Sequence, residues 1–195
     1  MADERPLRAD AVRNRAKILD AARAQITRHG PEVSMDAIAE AAGVAVGTLY
    51  RHYPDKTALV GAVLAEHMGE LARFTEEAEE RVVAGADAMT ELRELIYVVV
   101  EQAARDAAVK AAAQRFGAGP TDQHGAGQDG EERAEAALRR LIEAAKAGGE
   151  LHPDVTIDDF IMLLTTAPLD APPQARARWL TLVMPGLTTA GRRRS

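Results

Sequence analysis

Apolar residues recur with helical spacing in almost every segment of the chain, and no segment alternates apolar and polar residues as a strand does. Between residues 10 and 28, Ile18, Leu19, Ala22 and Ile26 lie one to four positions apart and share a face. A low aromatic content of 4%, with abundant Ala, Leu, Arg and Glu, also favours helices. We therefore predict an all-α fold of about nine helices.

Glycine, proline and capping residues divide the first part of the chain into short helices. The run His29-Gly30-Pro31 predicts the end of the first helix, Gly43 the end of the second and Pro54 the end of the third. Ser34 and Asp55 are suited to cap the second and fourth helices. These signals predict three helices followed by a long fourth one.

The rest of the chain predicts a larger helical domain. We place the boundary so that residues 1–58 form the first domain and residues 59–195 the second, with a fourth helix from about residue 55 bridging them. Residues 117–130 read as a flexible loop because they are rich in glycine and polar residues. Pro185 is expected to kink or stop the last helix, predicted at about 173–188.

Composition and charge exclude several classes of protein. The chain has no cysteine, so disulfides and thiolate metal sites are excluded, and no apolar run approaches the roughly 20 residues of a membrane span. The start of the chain lacks an apolar stretch, and we expect a cytoplasmic protein without a membrane partner. The net charge is −6, but residues 1–60 carry 9 Lys/Arg and 8 Asp/Glu, against 15 and 22 in the remainder.

The two short helices at residues 34–53 have the spacing of a helix-turn-helix, whose second helix lies in the DNA major groove. By helical phase Leu49 and Tyr53 face inward. The outward set suits DNA, because hydroxyl and imidazole groups bind phosphate oxygens, arginine binds a guanine edge, and glycine admits a close approach; this set is Val46, Gly47, Thr48, Tyr50, Arg51 and His52. From spacing alone, the corner of an ordinary helical bundle fits equally well.

Residues 15–30 and 34–64 closely resemble the DNA-binding region of TetR-family transcriptional regulators. The resemblance covers about the first third of the chain, while the remainder is similar in helical layout. The matching positions are Ile18, Leu19, Ala21, Ala22, Gly30, Ile38, Ala39, Ala42, Gly43, Val44, Gly47, Thr48, Leu49, Tyr50, His52, Lys56 and Leu59.

This resemblance implies sequence-specific regulation of transcription at a palindromic double-stranded operator. It implies phosphate contacts from Ser34, Thr48, Tyr50, His52 and Lys56, and base contacts from Val46, Gly47 and Arg51. Arg13 and Arg15 are further candidates for DNA contact, although a solvated surface explains them as well. Ala45 stands where the family often has a capping Ser or Thr.

The resemblance also implies a homodimer and a small, largely apolar or aromatic effector. The dimer would use the last two helices, through Phe160, Ile161, Leu164, Trp179, Leu180, Val183 and Leu187; the alternative, which this stripe favours less, is a core. A pocket between the fourth helix and the region 87–116 would be lined by Met68, Phe74, Met89, Leu92, Ile96, Tyr97, Val100, Phe116 and Met162, although such residues more often form core. We expect Tyr97 to be buried, with a ligand bonding its hydroxyl.

Other functions remain open to different degrees. No catalytic constellation is present, because the five histidines are scattered and no metal-binding or phosphate-loop motif is complete, so we expect neither an enzyme nor a metal or cofactor. The alternatives are a regulator without effector control, an activator, or a helical dimer that does not bind DNA. The sequence favours a repressor released by an effector.

Overall fold

The computed structural model describes residues 4–119 and 126–192. Within these ranges the chain is all α-helical, and the only strand-like contact is a single bridge between Leu151 and Thr188. The prediction of an all-α fold is confirmed, with ten α-helices where about nine were expected. They are α1 Glu4–His29, α2 Met35–Ala42, α3 Val46–His52, α4 Lys56–Val83, α5 Ala88–Arg105, α6 Ala107–Phe116, α7 Ala126–Ala147, α8 Ile157–Thr166, α9 Pro173–Val183 and α10 Thr189–Arg192, with a 3-10 helix at Met184–Leu187.

Local capping defines α2, α3 and the start of α4. The Ser34 hydroxyl accepts a hydrogen bond of 3.1 Å from the N–H of Ala37, and the Asp55 carboxylate accepts one of 2.8 Å from Ala58. Gly43 adopts a left-handed conformation with φ 66° and ends α2. Ala45 makes no side-chain cap at α3, because its methyl group has no oxygen to accept a hydrogen bond.

The α7 helix begins earlier than the sequence predicts. It starts at Ala126, inside the segment 117–130 that we expected to be a loop, and residues 120–125 of that segment lie outside the described residues. The glycine Gly130 is helical and packs so closely that a Cβ atom would lie 2.9 Å from the carbonyl carbon of Met68. Tertiary packing against α4 therefore accounts for a helix that intrinsic propensity disfavours.

The chain divides into two compact units, and each unit is formed by two separate segments of the sequence. The first contains α1–α3, α4 up to His67, and α6; the second contains the remainder of α4 from Met68, α5, most of α7, and the helices that follow. The sequence alone suggested a boundary at residue 58 and did not assign residues 106–119 to the first unit.

The core of the first unit is built from α1, α2, α3, α4 and α6. Ile18, Leu19, Ile38 and Leu49 are fully buried there, and Val109 of α6 belongs to the same cluster. Charged side chains at both ends of α6 attach it to its unit. Asp106 lies 3.0 Å from Nδ1 of His67 and 3.6 Å from Nε of Arg23, and Arg115 lies 2.5 Å from Glu32.

The second unit has its own core and a buried ion pair. Its cluster contains Leu92, Leu141 and Phe160, which are almost completely buried. Arg176 of α9 donates two hydrogen bonds of 2.7 and 2.8 Å to Glu101 of α5, and it also donates to the carbonyl of Ala171. This arginine therefore joins α5, α9 and the turn before α9.

The last helices end as proline predicts. The α9 helix stops at Val183, two residues before Pro185, and the chain continues as a 3-10 helix. The N–H of His152 donates to the carbonyl of Leu187 at 2.9 Å, and the N–H of Thr189 donates to Glu150 at 2.9 Å. The end of the described chain is thereby held against the connection between α7 and α8.

Candidate nucleic-acid interface and ligand cavity

The outer face of α3 carries the side chains that the sequence assigns to it. Leu49 is fully buried and Tyr53 is 5% exposed, so these two residues define the side of α3 that faces the core. On the opposite side, Val46 and Tyr50 are exposed to 41% and 44%, and Arg51 is also exposed. Thr48 and His52 are half-buried at the edges of this face. The exposed side of such a short helix can fit into the major groove of DNA.

Gly47 is the second residue of α3 and is exposed, and no contact within the chain requires a glycine there. Its φ is in the ordinary range, and an added Cβ would find no atom of the chain within 4 Å. Alanine would therefore fit the fold and would stabilise a helix interior by roughly 0.5–1 kcal/mol. Glycine is consistent with a molecule outside the chain that approaches α3 closely.

The remaining predicted contacts surround α3. Ser34 is exposed at the start of α2, where backbone N–H groups favour an anion. The ammonium of Lys56 donates a hydrogen bond of 2.9 Å to the carbonyl of Pro31 and lies 5.4 Å from the ring centre of Phe116. Lys56 is therefore positioned by two neighbours, and a phosphate contact would exchange or share these interactions.

The second unit contains a cavity of about 380 Å³ that is lined by residues of α4, α5, α7 and α8 and is partly open to solvent. Small-molecule pockets commonly have about 300–1,000 Å³. Its polar lining consists of Thr75, Glu131, Glu135 and Thr165, and its apolar lining is Met68, Leu71, Leu95, Ile96, Val99, Ala134, Leu138, Ile157, Phe160, Ile161 and Leu164.

The structure brings only two of the nine predicted ligand residues to this cavity, Met68 and Ile96. Met89, Leu92 and Val100 are buried in the core, with Phe74 packed against it. Phe116 belongs to the first unit, and Met162 is mostly exposed on α8. The sequence analysis placed the pocket between the fourth helix and the region 87–116, so it missed the contribution of α7.

Tyr97 is a correction to the sequence analysis. It was expected to be buried, but it is 45% exposed. It lines a separate groove of about 750 Å³ between α5 and α9, together with Arg93, Thr181 and Met184. Its helical phase places it one position beyond the buried Ile96, so its side chain is open to solvent.

The predicted dimer residues fall into two groups. Phe160, Leu180 and Leu187 are at most 9% exposed and serve the core of the second unit. Trp179, Val183 and Leu164 are half-buried, and Ile161 is 46% exposed. Met162 and Leu182 are also exposed large apolar residues of α8 and α9. Leu182 was not among the predicted dimer residues, although a position three residues after Trp179 lies on the same face of a helix.

Ion pairs join α4 and α7 beside the cavity. Arg133 binds both oxygens of Glu76 at 2.8 and 2.5 Å, and Arg140 binds both oxygens of Glu79. The hydrogen bond from Arg133 lowers the pKa of Glu76 below its usual value. Glu76 therefore remains ionised at neutral pH, and neither arginine lines the cavity.

The described residues include no group of three or more His, Asp or Glu side chains arranged to hold a metal ion. None of their helices combines the length and apolar character that a membrane crossing requires.

Comparisons with known proteins match both parts of the chain. Residues 18–63 match the family described as bacterial regulatory proteins, tetR family. Residues 87–189, just over half of the chain, match the C-terminal domain described as transcriptional regulator SbtR-like.

Individual relatives agree with these matches. The TetR transcription regulatory protein of Mycobacterium vanbaalenii is 31% identical, with 94% of this chain and 100% of that chain aligned and a TM-score of 0.72. A TetR transcriptional regulator of Streptomyces coelicolor is 29% identical, with 89% and 98% aligned and a TM-score of 0.68.

A curated relative is the HTH-type transcriptional repressor KstR of Mycobacterium tuberculosis. It is 42% identical over 85 residues, which are 43% of this chain. The alignment spans 37% of the length of that repressor.

Proposed function

Because the chain belongs to the TetR family of bacterial regulatory proteins, we propose that it is a dimeric transcriptional repressor. It binds a palindromic double-stranded operator through α3 and is released by a small, largely apolar effector. The observation that carries the proposal is the exposed face of α3, with donors around an open glycine above a fully buried Leu49. A repressor of this kind acts in the cytoplasm, where the chromosome lies.

We assign the DNA contacts by their chemistry. Thr48, Tyr50 and His52 donate to phosphate oxygens at the edges of α3, while Arg51 is directed at a base. Ser34 and Lys56 hold phosphates at the starts of α2 and α4. Val46 and Gly47 provide the surface that rests against base edges.

The homodimer uses the exposed apolar side chains of α8 and α9. Ile161, Met162 and Leu182 are the largest exposed apolar groups there, with Trp179 half-buried beside them. Burial of apolar surface contributes about 25 cal/mol of favourable free energy per Å², so pairing of such surfaces is favoured. Two copies then present two α3 helices to successive major grooves, about 34–36 Å apart.

Effector control operates through the cavity of the second unit. An effector that binds more tightly to a state with misplaced recognition helices shifts the population away from DNA. Each tenfold loss of DNA affinity requires about 1.4 kcal/mol of coupling. A regulator without effector control, or an activator, would share the same α3 surface.

The proposal is tested by selecting bound sequences from random double-stranded DNA with the full-length protein. We expect a palindrome or near-palindrome whose half-sites are one helical turn apart. Arg51→Ala should relax the preference at one position of each half-site by about 1–3 kcal/mol. The matched control is Arg73→Ala, which removes an exposed arginine of α4 outside both α3 and the proposed dimer residues.

Two results would contradict this function. One is the absence of any enriched sequence together with no salt-sensitive retention of duplex DNA, which leaves a helical dimer without DNA binding. The other is an asymmetric single site, which is incompatible with a symmetric dimer. Expression of a reporter gene behind the selected site then separates repression from activation.

A further inference from the structure

The polar side chains of the 380 Å³ cavity offer hydrogen-bond acceptors only. Thr75 is 2% exposed, and its hydroxyl donates to the carbonyl of Leu71 at 2.8 Å. The hydroxyl of Thr165 donates to the carbonyl of Met162 at 3.0 Å. Both hydroxyl hydrogens are therefore used within their helices, and only oxygen lone pairs remain for a ligand.

Two carboxylates complete this polar set, and both come from α7. Glu131 and Glu135 are one helical turn apart, so they lie on the same face of the helix. Ionised carboxylates accept hydrogen bonds and cannot donate them. Among the described lining residues there is no Lys, Arg, His, Asn, Gln, Tyr or Trp side chain to supply a donor.

The neighbouring positive charges do not change this balance. Arg133 is paired with Glu76. Arg139 donates a hydrogen bond of 2.5 Å to Glu135, and Arg139 itself does not line the cavity. Glu131 has no ion pair with a described residue. At the start of α8, Asp158 and Asp159 already provide negative charge to the exposed N–H groups of its first turn.

Resting on the proposed function, we propose that the effector is an organic cation: an apolar body that carries a primary or secondary ammonium group. The apolar walls bury the body, and the ammonium donates to Glu131, Glu135 and the hydroxyl oxygen of Thr75. Glu131 and Glu135 are both exposed, so the head group of the ligand lies where the cavity opens to solvent. A carboxylate or phosphate there would meet like charges and find no donor among the described lining residues. The excess of acidic residues after residue 60 also attracts cations during approach.

The class is tested with three probes that share one apolar body and differ in the head group. Isothermal titration of the full-length protein at pH 7 compares decylamine, decanol and decanoate. Decylamine should bind saturably, with one molecule per chain, and about tenfold or more tighter than decanoate, with decanol between them. Equal or tighter binding of decanoate would overturn the proposal, and so would failure of all three probes to bind.

Variants then locate the site. The double substitution Glu131→Gln and Glu135→Gln should weaken decylamine binding about tenfold and leave decanol within twofold, because only the charge-assisted bonds are lost. The control is Glu132→Gln, an exposed glutamate of the same helix that does not line the cavity. Equal losses in the control and the double variant would mean that decylamine binds the acidic surface in general, which also overturns the proposal.

A DNA-release assay keeps the two proposals separate. If decylamine binds in the cavity but leaves the selected operator bound at saturation, effector control fails while the cationic class stands. If decanoate releases the operator and decylamine does not, effector control stands and the cationic class fails.

Discussion

Gly47 is a residue whose identity the folded chain does not require. Its Cβ would contact nothing within 4 Å and its backbone is compatible with any residue. Glycine in a helix nevertheless costs about 1 kcal/mol relative to alanine. A requirement outside the chain, such as the close approach of a DNA groove, explains why this cost is retained.

We therefore expect Gly47→Ala to have opposite effects on folding and on binding. The free energy of unfolding should increase by about 0.5–1 kcal/mol, while affinity for the selected operator should fall at least tenfold. Chemical denaturation and fluorescence anisotropy measure the two effects. Gly69→Ala is the matched control, because Gly69 is also helical and unobstructed but lies in α4 away from α3. Gly69→Ala should stabilise the fold without weakening DNA binding; if both variants bind DNA normally, α3 does not approach DNA as closely as we propose.

Lys56 has two roles that can be separated by experiment. Lys56→Ala should weaken binding to all duplex sequences and reduce the slope of log affinity against log salt by about one unit. It should also lower stability, because the contacts with Pro31 and Phe116 are lost. Phe116→Leu removes only the ring beneath the ammonium, so the salt slope should remain unchanged. An unchanged slope in Lys56→Ala would restrict this lysine to its structural role.

Single residues also show where sequence reasoning is sufficient. Leu49 and Tyr53 are buried as their four-residue spacing predicts, since the phase of a short helix is fixed by its own apolar positions. Tyr97 is different, because on a long helix with a wide apolar face one position of phase decides between burial and exposure. Which flank of such a face is covered depends on neighbouring helices, and the sequence does not state their positions.

Among the helices, those with local stop and start signals were predicted closely. Ser34, Gly43 and Asp55 act within a few residues of their own positions, so α2 and the start of α4 follow from local chemistry. The break between α5 and α6 has no glycine or proline. There Asp106 contacts Arg23 and His67, which are distant in sequence, so only the folded unit reveals why the chain turns at this residue.

The ion pair between α5 and α9 predicts a specific dependence of stability on pH. Hydrogen bonding by Arg176 lowers the pKa of Glu101 below its usual 4.5. A lowered pKa in the folded state contributes stability that is complete above 4.5 and is lost as the pH falls through the folded value. The pair therefore stabilises the second unit at neutral pH.

Glu101→Gln should lower the melting temperature by several degrees at pH 7, because it leaves Arg176 buried without its charged partner. The difference from the wild type should shrink as the pH falls from 4.5 through the lowered pKa of the folded state, because the wild-type carboxyl also becomes neutral there. Scanning calorimetry across this range measures both values. Glu143→Gln is the control, because Glu143 is an exposed partner of Lys146 and should have little effect at any pH. A constant difference at all pH values would mean that packing, and not charge, accounts for the loss.

For the whole molecule, the division into units assigns α6 to the same unit as the helix-turn-helix. Val109 of α6 is 1% exposed in the core that also contains Ile18 and Leu19 of α1. Deletion of two buried methyl groups costs about 2 kcal/mol. We expect Val109→Ala to increase hydrogen exchange in α1 and α2, although it lies more than 60 residues further along the chain.

Mass spectrometry of deuterium uptake tests this prediction. Lys110→Ala, the exposed neighbour of Val109, should leave uptake unchanged. If Val109→Ala increases exchange in α5 and leaves α1 and α2 as protected as in the wild type, α6 belongs energetically to the second unit instead.

The interleaved order of the two units limits how this protein can be recombined with its relatives. A hybrid regulator joined near residue 58 or 67 would carry the recognition helix of one parent and the α6 of the other, so Val109 and Asp106 would face a surface that did not evolve with them. Functional hybrids should require α6 to be transplanted together with the first 67 residues. To exchange the operator specificity of this protein, two separate segments must therefore be transferred together, and a single crossover is insufficient.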